Sequence, residues 1–154
     1  MRVTVGCIKL YMLGADFVVD ASVIVKLLNQ DREPYTAEAV DILEKAINGS
    51  MRLCTSDLAV HEVCNALIKG KGLKGRTLKQ AIESFFVLPI GRIMTDLHLA
   101  AIATTISEEY NVTFYDAIYM AVAFDLGIPL ITANPKHQRP LPQVNVISLE
   151  QWAS

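Results

Sequence analysis

Four polar residues in this 154-residue chain stand where oxygen ligands are hard to explain one at a time. Asp20 closes the apolar run Phe17-Val18-Val19 and is followed by Ala21-Ser22. Glu62 lies in His61-Glu62-Val63-Cys64-Asn65-Ala66-Leu67, and Asp116 in Tyr115-Asp116-Ala117-Ile118-Tyr119. Asn134 follows Leu130-Ile131-Thr132-Ala133. Each sits at the junction of an apolar run and a turn, or on a narrow polar stripe of an apolar helix. A carboxylate is costly to bury unless something pairs with it. Several that converge commonly share a divalent cation. The pattern therefore predicts one acidic pocket able to hold a hard metal ion.

Each position also has a plain structural reading. Asp20 can cap the helix after it, Thr113-x-x-Asp116 matches a capping box, and Asn134 before Pro135 suits a turn. At about 100° per residue, His61, Glu62, Asn65 and Lys69 fall on one side of a helix, which is what a thin solvated stripe looks like. These readings explain the residues separately but give them no common location. Next to the Glu62 helix runs a basic segment, Lys69-Gly70-Lys71-Gly72-Leu73-Lys74-Gly75-Arg76, with Lys79 beyond it. It is either a solvated loop or a grip on phosphates that releases counterions. Lys136, His137 and Arg139 follow Asn134 and face either solvent or substrate. Other metal and phosphate chemistries are excluded. His61-Glu62 is followed by Asn65 where a zinc protease needs its second His. Asp20-Ala21-Ser22 lacks the Asp-x-Asp of an aspartyl-phosphate phosphatase.

The elements that must position these residues alternate between strand and helix. Phe17–Asp20 reads as a strand and Val23–Leu28 as the helix after it. Residues 36–48 are a helix stopped by Asn48-Gly49, and Met51–Thr55 is a second strand. Ser56 or Asp57 caps a helix running to about Lys69. After a glycine-rich basic loop come a helix at 77–86, a strand at 87–93, and a helix capped by Thr95 that ends near Glu109. Thr113 caps a further helix that ends at Gly127. Strands at 130–132 and 144–148 complete the chain. Short, continuously apolar strands between helices argue for an α/β/α sandwich around a parallel sheet. In such folds the ligand site lies beyond the carboxyl ends of the strands.

The length fits one domain, placed at residues 16–154, with residues 1–15 a leader or an added strand. No repeat, linker or low-complexity tract marks a second domain. Apolar residues make up 52% of the chain and charged residues only 19%. That excess over ordinary usage predicts a subunit interface. Net charge is −2, so any polyanion contact depends on a local patch. Three cysteines (Cys7, Cys54, Cys64) without a Cys-x-x-Cys pair exclude a zinc framework and predict buried thiols in a reducing cytoplasm. The longest apolar stretch, 117–124, is too short to span a bilayer.

From about Phe17 to its end the chain resembles the PIN-domain family, in particular the small VapC-type toxin ribonucleases of prokaryotic toxin–antitoxin pairs. The residues that carry the resemblance are Val-Val-Asp-Ala-Ser (18–22), Glu-x-x-Asn-Ala-Leu (62–67), Tyr-Asp-Ala-x-Tyr-x-Ala-x-Ala (115–123) and Thr-Ala-Asn (132–134). The resemblance implies a short parallel sheet between helical layers and an endoribonuclease that needs Mg2+ or Mn2+. It makes Asp20, Glu62 and Asp116 the catalytic and metal-binding acids. Asn134 takes the fourth metal position, where the family usually has Asp. Asn offers a carbonyl oxygen but no charge, so this chain has three carboxylates instead of four. Ser22, Asn65 and Thr132 match supporting positions, and Lys69, Lys71, Lys74, Arg76 and Lys136 are the candidate RNA contacts. An antitoxin and a second copy of the chain are the implied protein partners. A PIN-like module that binds RNA or a protein without cutting is the alternative.

Overall fold

The computed structural model describes residues 14–31, 33–138 and 140–153, so Cys7, Arg139 and residues 1–13 of the leader or added strand expected at 1–15 lie outside the described residues. A five-stranded parallel sheet organises them, in the order β3-β2-β1-β4-β5. The strands are β1 (Phe17–Val19), β2 (Leu53–Ser56), β3 (Ile90–Ile93), β4 (Leu130–Thr132) and β5 (Val146–Ser148). The helices, in chain order, are α1 (Ala21–Leu28), α2 (Thr36–Ile47), α3 (Leu58–Asn65), α4 (Gly75–Val87), α5 (Leu97–Tyr110), α6 (Phe114–Leu126) and α7 (Leu149–Trp152). Val18, Val19, Leu130 and Ile131 are buried, as expected of strands covered on both faces.

The strand order explains where the layers fall. From β1 the chain steps outward to β2 and then β3, through α1–α2 and α3–α4. It then returns across β1 to β4 and β5 through α5 and α6. Right-handed crossovers put helices made on the outward steps on one face and those made on the return on the other. The packing agrees: α1 rests on α2 and α3, while α5 packs on α6, which lies against β1, β2 and β4. The expected α/β/α arrangement is therefore the one observed. The direction reverses between β1 and β4, and the crevice at that reversal is where open α/β sheets bind ligands.

Helix α6 forms the core of the return layer. Seven consecutive residues, Ala117 to Ala123, are buried, and a helix apolar on all sides must be enclosed. It ends at Gly127, whose φ of 65° lets the chain leave through a left-handed turn. Rigid packing of α6 fixes its first turn, which carries Asp116.

Several local expectations are corrected. Asp96, not Thr95, caps α5 by accepting from Leu99 N–H at 2.9 Å. Thr95 instead donates its hydroxyl to Asp57 at 2.8 Å. Asp57 is thereby occupied, and Ser56 Oγ takes the N–H of Leu58 at the start of α3. Helix α4 starts at Gly75 and runs to Val87, so Arg76 is helical, and the next strand starts only at Ile90. The segment Ala66–Gly70 continues α3 as a π-helical turn, closed by Lys71 N–H to Ala66 C=O at 2.9 Å. The wider turn moves Lys69 off the simple α-helical wheel. Cys54 is buried, and burial pushes its thiol up to about 12, but Cys64 is only half-buried.

Lys71 is not a free member of the basic segment. It pairs with Glu33, whose other oxygen accepts from the buried Lys26 at 2.6 Å. These two lysines hold the Glu33 carboxyl below its ordinary range. Stability from a lowered carboxyl is present above its ordinary value and lost as pH falls through the folded value. Glu33→Gln is expected to cost about 1–3 kcal/mol, because Lys26 is left buried without its charge partner. Denaturant melts should show that difference at neutral pH and show it shrinking on acidification through the carboxylate range.

Candidate active site

Asp20 leaves the carboxyl end of β1 and caps α1. Its Oδ1 accepts from Val23 N–H at 3.2 Å and from Ser22 Oγ at 2.6 Å. Its Oδ2 accepts from Thr132 Oγ1, at the end of β4, at 2.6 Å. Asp20 is therefore both a helix cap and a bond across the crevice between β1 and β4. The Ser22 hydroxyl also accepts from Ala133 N–H at 2.9 Å, and Thr132 Oγ1 from Asn134 N–H at 2.9 Å. Two small hydroxyls thus lock the chain after β4 onto the start of α1.

Glu62, on the second turn of α3, is half-buried, and its Oε2 accepts from Tyr119 Oη at 2.5 Å. Asp116 stands in the first turn of α6. The Thr113 hydroxyl caps that helix by accepting from Asp116 N–H at 3.1 Å and donates to Asp116 Oδ2 at 2.6 Å. One pocket is lined by Asp20, Ala21, Ser22, Glu62, Asp116, Tyr119, Asn134, His137 and Gln138. All four oxygen-bearing residues singled out from sequence line it. For Asp20 the capping reading and the shared-pocket reading both hold. At Asp116 the Thr113 hydroxyl caps the helix, but the Asp116 carboxylate bonds that hydroxyl and not the Thr113 N–H, so the expected capping box is only half formed.

Asn65, His61, Lys69, Lys74, Arg76 and Lys136 are exposed and do not line the pocket. His137 does, although its residue type alone gave no reason to prefer it over Lys136. Tyr119 and Gln138 also line the pocket and were not singled out as site residues. Tyr119 follows Asp116 by three residues, so helical spacing puts both on one face, and that signal was available. Gln138 is buried with its Oε1 unpartnered, and nothing in its sequence setting announces it.

The electrostatics favour a cation. Asp20 is only 4% exposed, and burial raises its carboxyl above the ordinary value despite the hydrogen bonds from Ser22 and Thr132. Glu62 is also raised, first by burial and further by the charges of Asp20 and Asp116, against the hydrogen bond from Tyr119. The Tyr119 phenol is pushed far up by burial and by the charge of Glu62. Among the described residues, no Lys, Arg or His forms an ion pair with Asp20, Glu62 or Asp116. Buried carboxylates without a basic partner are the donors that a hard divalent ion takes. Among the described residues no three acidic, His or Cys side chains are gathered into a ready-made cage. The donor set of carboxylate oxygens and one amide oxygen fits a hard divalent ion such as Mg2+, with water completing its shell.

The comparisons with known proteins agree with this fold. The family model for the PIN domain matches residues 17–140. The chain belongs to the PIN-domain family. This PIN domain is 30% identical to Ribonuclease VapC3 of Pyrobaculum aerophilum over 135 residues, covering 81% of this chain and 94% of that protein. Its fold is similar to a chain of the DNA-bound VapBC structure from Salmonella typhimurium, with a TM-score of 0.64 at 16% identity, covering 88% of this chain and 98% of that one. It is also similar to a chain of a toxin–antitoxin complex from Klebsiella pneumoniae, with a TM-score of 0.62 at 20% identity, covering 86% and 96%. The PIN fold thus has its acidic pocket at the reversal of strand order, with Asn134 as its one uncharged corner among the four.

Proposed function

We propose that this PIN domain is a divalent-metal-dependent endoribonuclease and the toxin of a toxin–antitoxin pair. The observation that carries the reading is three carboxylates without basic partners lining one pocket with Asn134 at the β1–β4 crevice. The relationship to a ribonuclease over most of both chains supports RNA as the substrate. The resemblance in fold to chains of toxin–antitoxin complexes supports an antitoxin partner.

When bound, a Mg2+ or Mn2+ ion would neutralise the phosphodiester and lower the pKa of a water enough for attack at neutral pH. Asp20, Glu62, Asp116 and Asn134 would hold the ion. Ser22 and Thr132 fix the Asp20 carboxylate through hydrogen bonds of 2.6 Å each, so its lone pairs are oriented before any ligand arrives. The exposed Lys69, Lys74, Arg76 and Lys136 are available for phosphates away from the pocket. Lys71 is engaged by Glu33 and contributes less.

Purified protein is expected to cleave single-stranded or structured RNA to 5′-phosphate products, to stop in chelator, and to resume with Mg2+ or Mn2+. Cleavage indifferent to chelator would overturn the reading. RNA binding without cleavage at any Mn2+ concentration would favour a binding module, the alternative that Asn134 in place of a fourth carboxylate supports. The toxin role is tested by growth arrest on expression, relieved by co-expressing a short reading frame for a DNA-binding protein from immediately upstream. Failure of every such neighbour to relieve arrest would favour a solitary RNA-processing nuclease.

A further inference from the structure

We propose that Tyr119 is a positioning residue of the acidic pocket, whose hydroxyl holds the Glu62 carboxylate in place and ties the helix that carries Glu62 to the helix that carries Asp116. The inference deepens the metal-dependent reading and rests on it.

Tyr119 is 2% exposed and sits among Ala117–Ala123, where every other side chain is apolar. A Phe would fill that space equally well. A buried phenol oxygen must find partners, and this one donates to Glu62 Oε2 at 2.5 Å, across 57 residues of sequence. Glu62 belongs to α3, and Tyr119 shares a face of α6 with Asp116. One hydroxyl therefore joins two of the acid-bearing helices.

Glu62 needs such a restraint more than the other acids do. Asp20 is held by three hydrogen bonds and Asp116 by the Thr113 hydroxyl. Glu62 has a longer side chain, lies half in solvent, and is repelled by both Asp20 and Asp116. Rotation toward water would relieve that repulsion and gain rotamer entropy. The Tyr119 hydroxyl opposes both tendencies and leaves the second carboxylate oxygen turned to the pocket's contents. Partners behind a metal ligand act in this way, and their loss typically weakens metal binding by roughly 10- to 100-fold.

The test is a double-mutant cycle read by Mn2+ titration calorimetry. Tyr119→Phe, Glu62→Ala and the double variant are titrated beside the parent, with thermal melts and RNA turnover measured on each. Tyr119→Phe keeps the ring, so its melt should stay near the parent's. Its Mn2+ affinity should fall roughly tenfold, and its turnover at saturating metal should fall with little change in KM for RNA. In the Glu62→Ala background the same change should cost almost nothing, because the side chain it positions is gone. Equal losses of Mn2+ affinity in both backgrounds, or no loss in either, would overturn the inference. Should Tyr119→Phe not fold, 4-aminophenylalanine at position 119 decides, since it restores an N–H donor. Near-parent affinity supports the positioning role, and a large loss in a folded protein rejects it. A parent protein that binds no Mn2+ rejects the metal-dependent reading itself, an outcome distinct from a parent that binds and a variant that binds equally.

Discussion

Asp20→Asn is expected to lower RNA cleavage on the order of 100-fold or more, the scale of losing one charged stabiliser at a reacting centre, while leaving the metal-free protein at least as stable as its parent. The two halves of this result come from different atoms. Asn is as good an N-cap as Asp, so its side-chain oxygen can still accept from Val23 N–H and from Ser22. Its amide nitrogen replaces Oδ2 opposite the Thr132 hydroxyl, which can rotate to accept. What disappears is the charge, and that charge is buried without a basic partner. Removing it relieves a desolvation cost in the free protein and removes the attraction for a divalent ion. Asp20→Ala should behave differently. It loses the cap, at about 1 kcal/mol, and strands the Ser22 and Thr132 hydroxyls, at about 1–3 kcal/mol more. Thermal melts in chelator, with Mn2+ titration of both variants, separate the cases. If Asp20→Asn melts as low as Asp20→Ala, the carboxylate is a structural cap and the pocket is not organised around its charge.

The same residue shows what could be read from the chain and what could not. Alternating apolar runs and helical periods were enough to specify an α/β sandwich, because strands buried on both faces have no polar alternation to hide them. The acidic positions were legible for a related reason. A carboxylate beside an apolar run stands out, and strand ends in parallel sheets all point to one edge. Composition could not say that Asp20 caps α1 and bonds across the crevice at once, since one oxygen serves each purpose. Thr95 was misjudged because two adjacent residues, Thr95 and Asp96, both suit a cap, and only tertiary contact with Asp57 selects between them. Lys71 was hidden in a basic segment for the same reason, because its partner Glu33 is 38 positions away. Gln138 enters the pocket through the path of an irregular loop, which no periodicity describes. Tyr119 is intermediate. Its spacing from Asp116 predicts a shared face, but the length of the reach to Glu62 depends on how α3 packs against α6.

Asn134→Asp is expected to tighten Mn2+ binding roughly tenfold, a change of about 1.4 kcal/mol, and to raise activity at low Mg2+. Asn134 shares the pocket with three carboxylates, and its backbone is pinned to Thr132 by a 2.9 Å hydrogen bond. The substitution keeps size and backbone and adds one negative charge beside the place a cation would occupy. Unit charges a few ångströms apart interact by about 4 kcal/mol at an effective dielectric near 20. Exposure of the Asn134 side chain reduces that figure, so a gain of about a third of it is the reasonable scale. Without metal the charge works the other way. Burial already raises Asp20 above its ordinary value of 3.8, and burial with the charges of Asp20 and Asp116 raises Glu62 above 4.5. A fourth carboxylate raises at least one acid further. The native state then binds more protons than the unfolded chain, and stability falls as pH rises from those ordinary values through the raised ones. In chelator the variant should therefore melt below its parent near neutral pH and converge with it on acidification. Saturating Mn2+ should reverse the order. On an ordinary surface turn the same substitution would shift stability by no more than about 0.5 kcal/mol and leave metal affinity unchanged. Equal affinities and equal melts would therefore place Asn134 outside the set that meets the ion, leaving the three carboxylates to hold it with water.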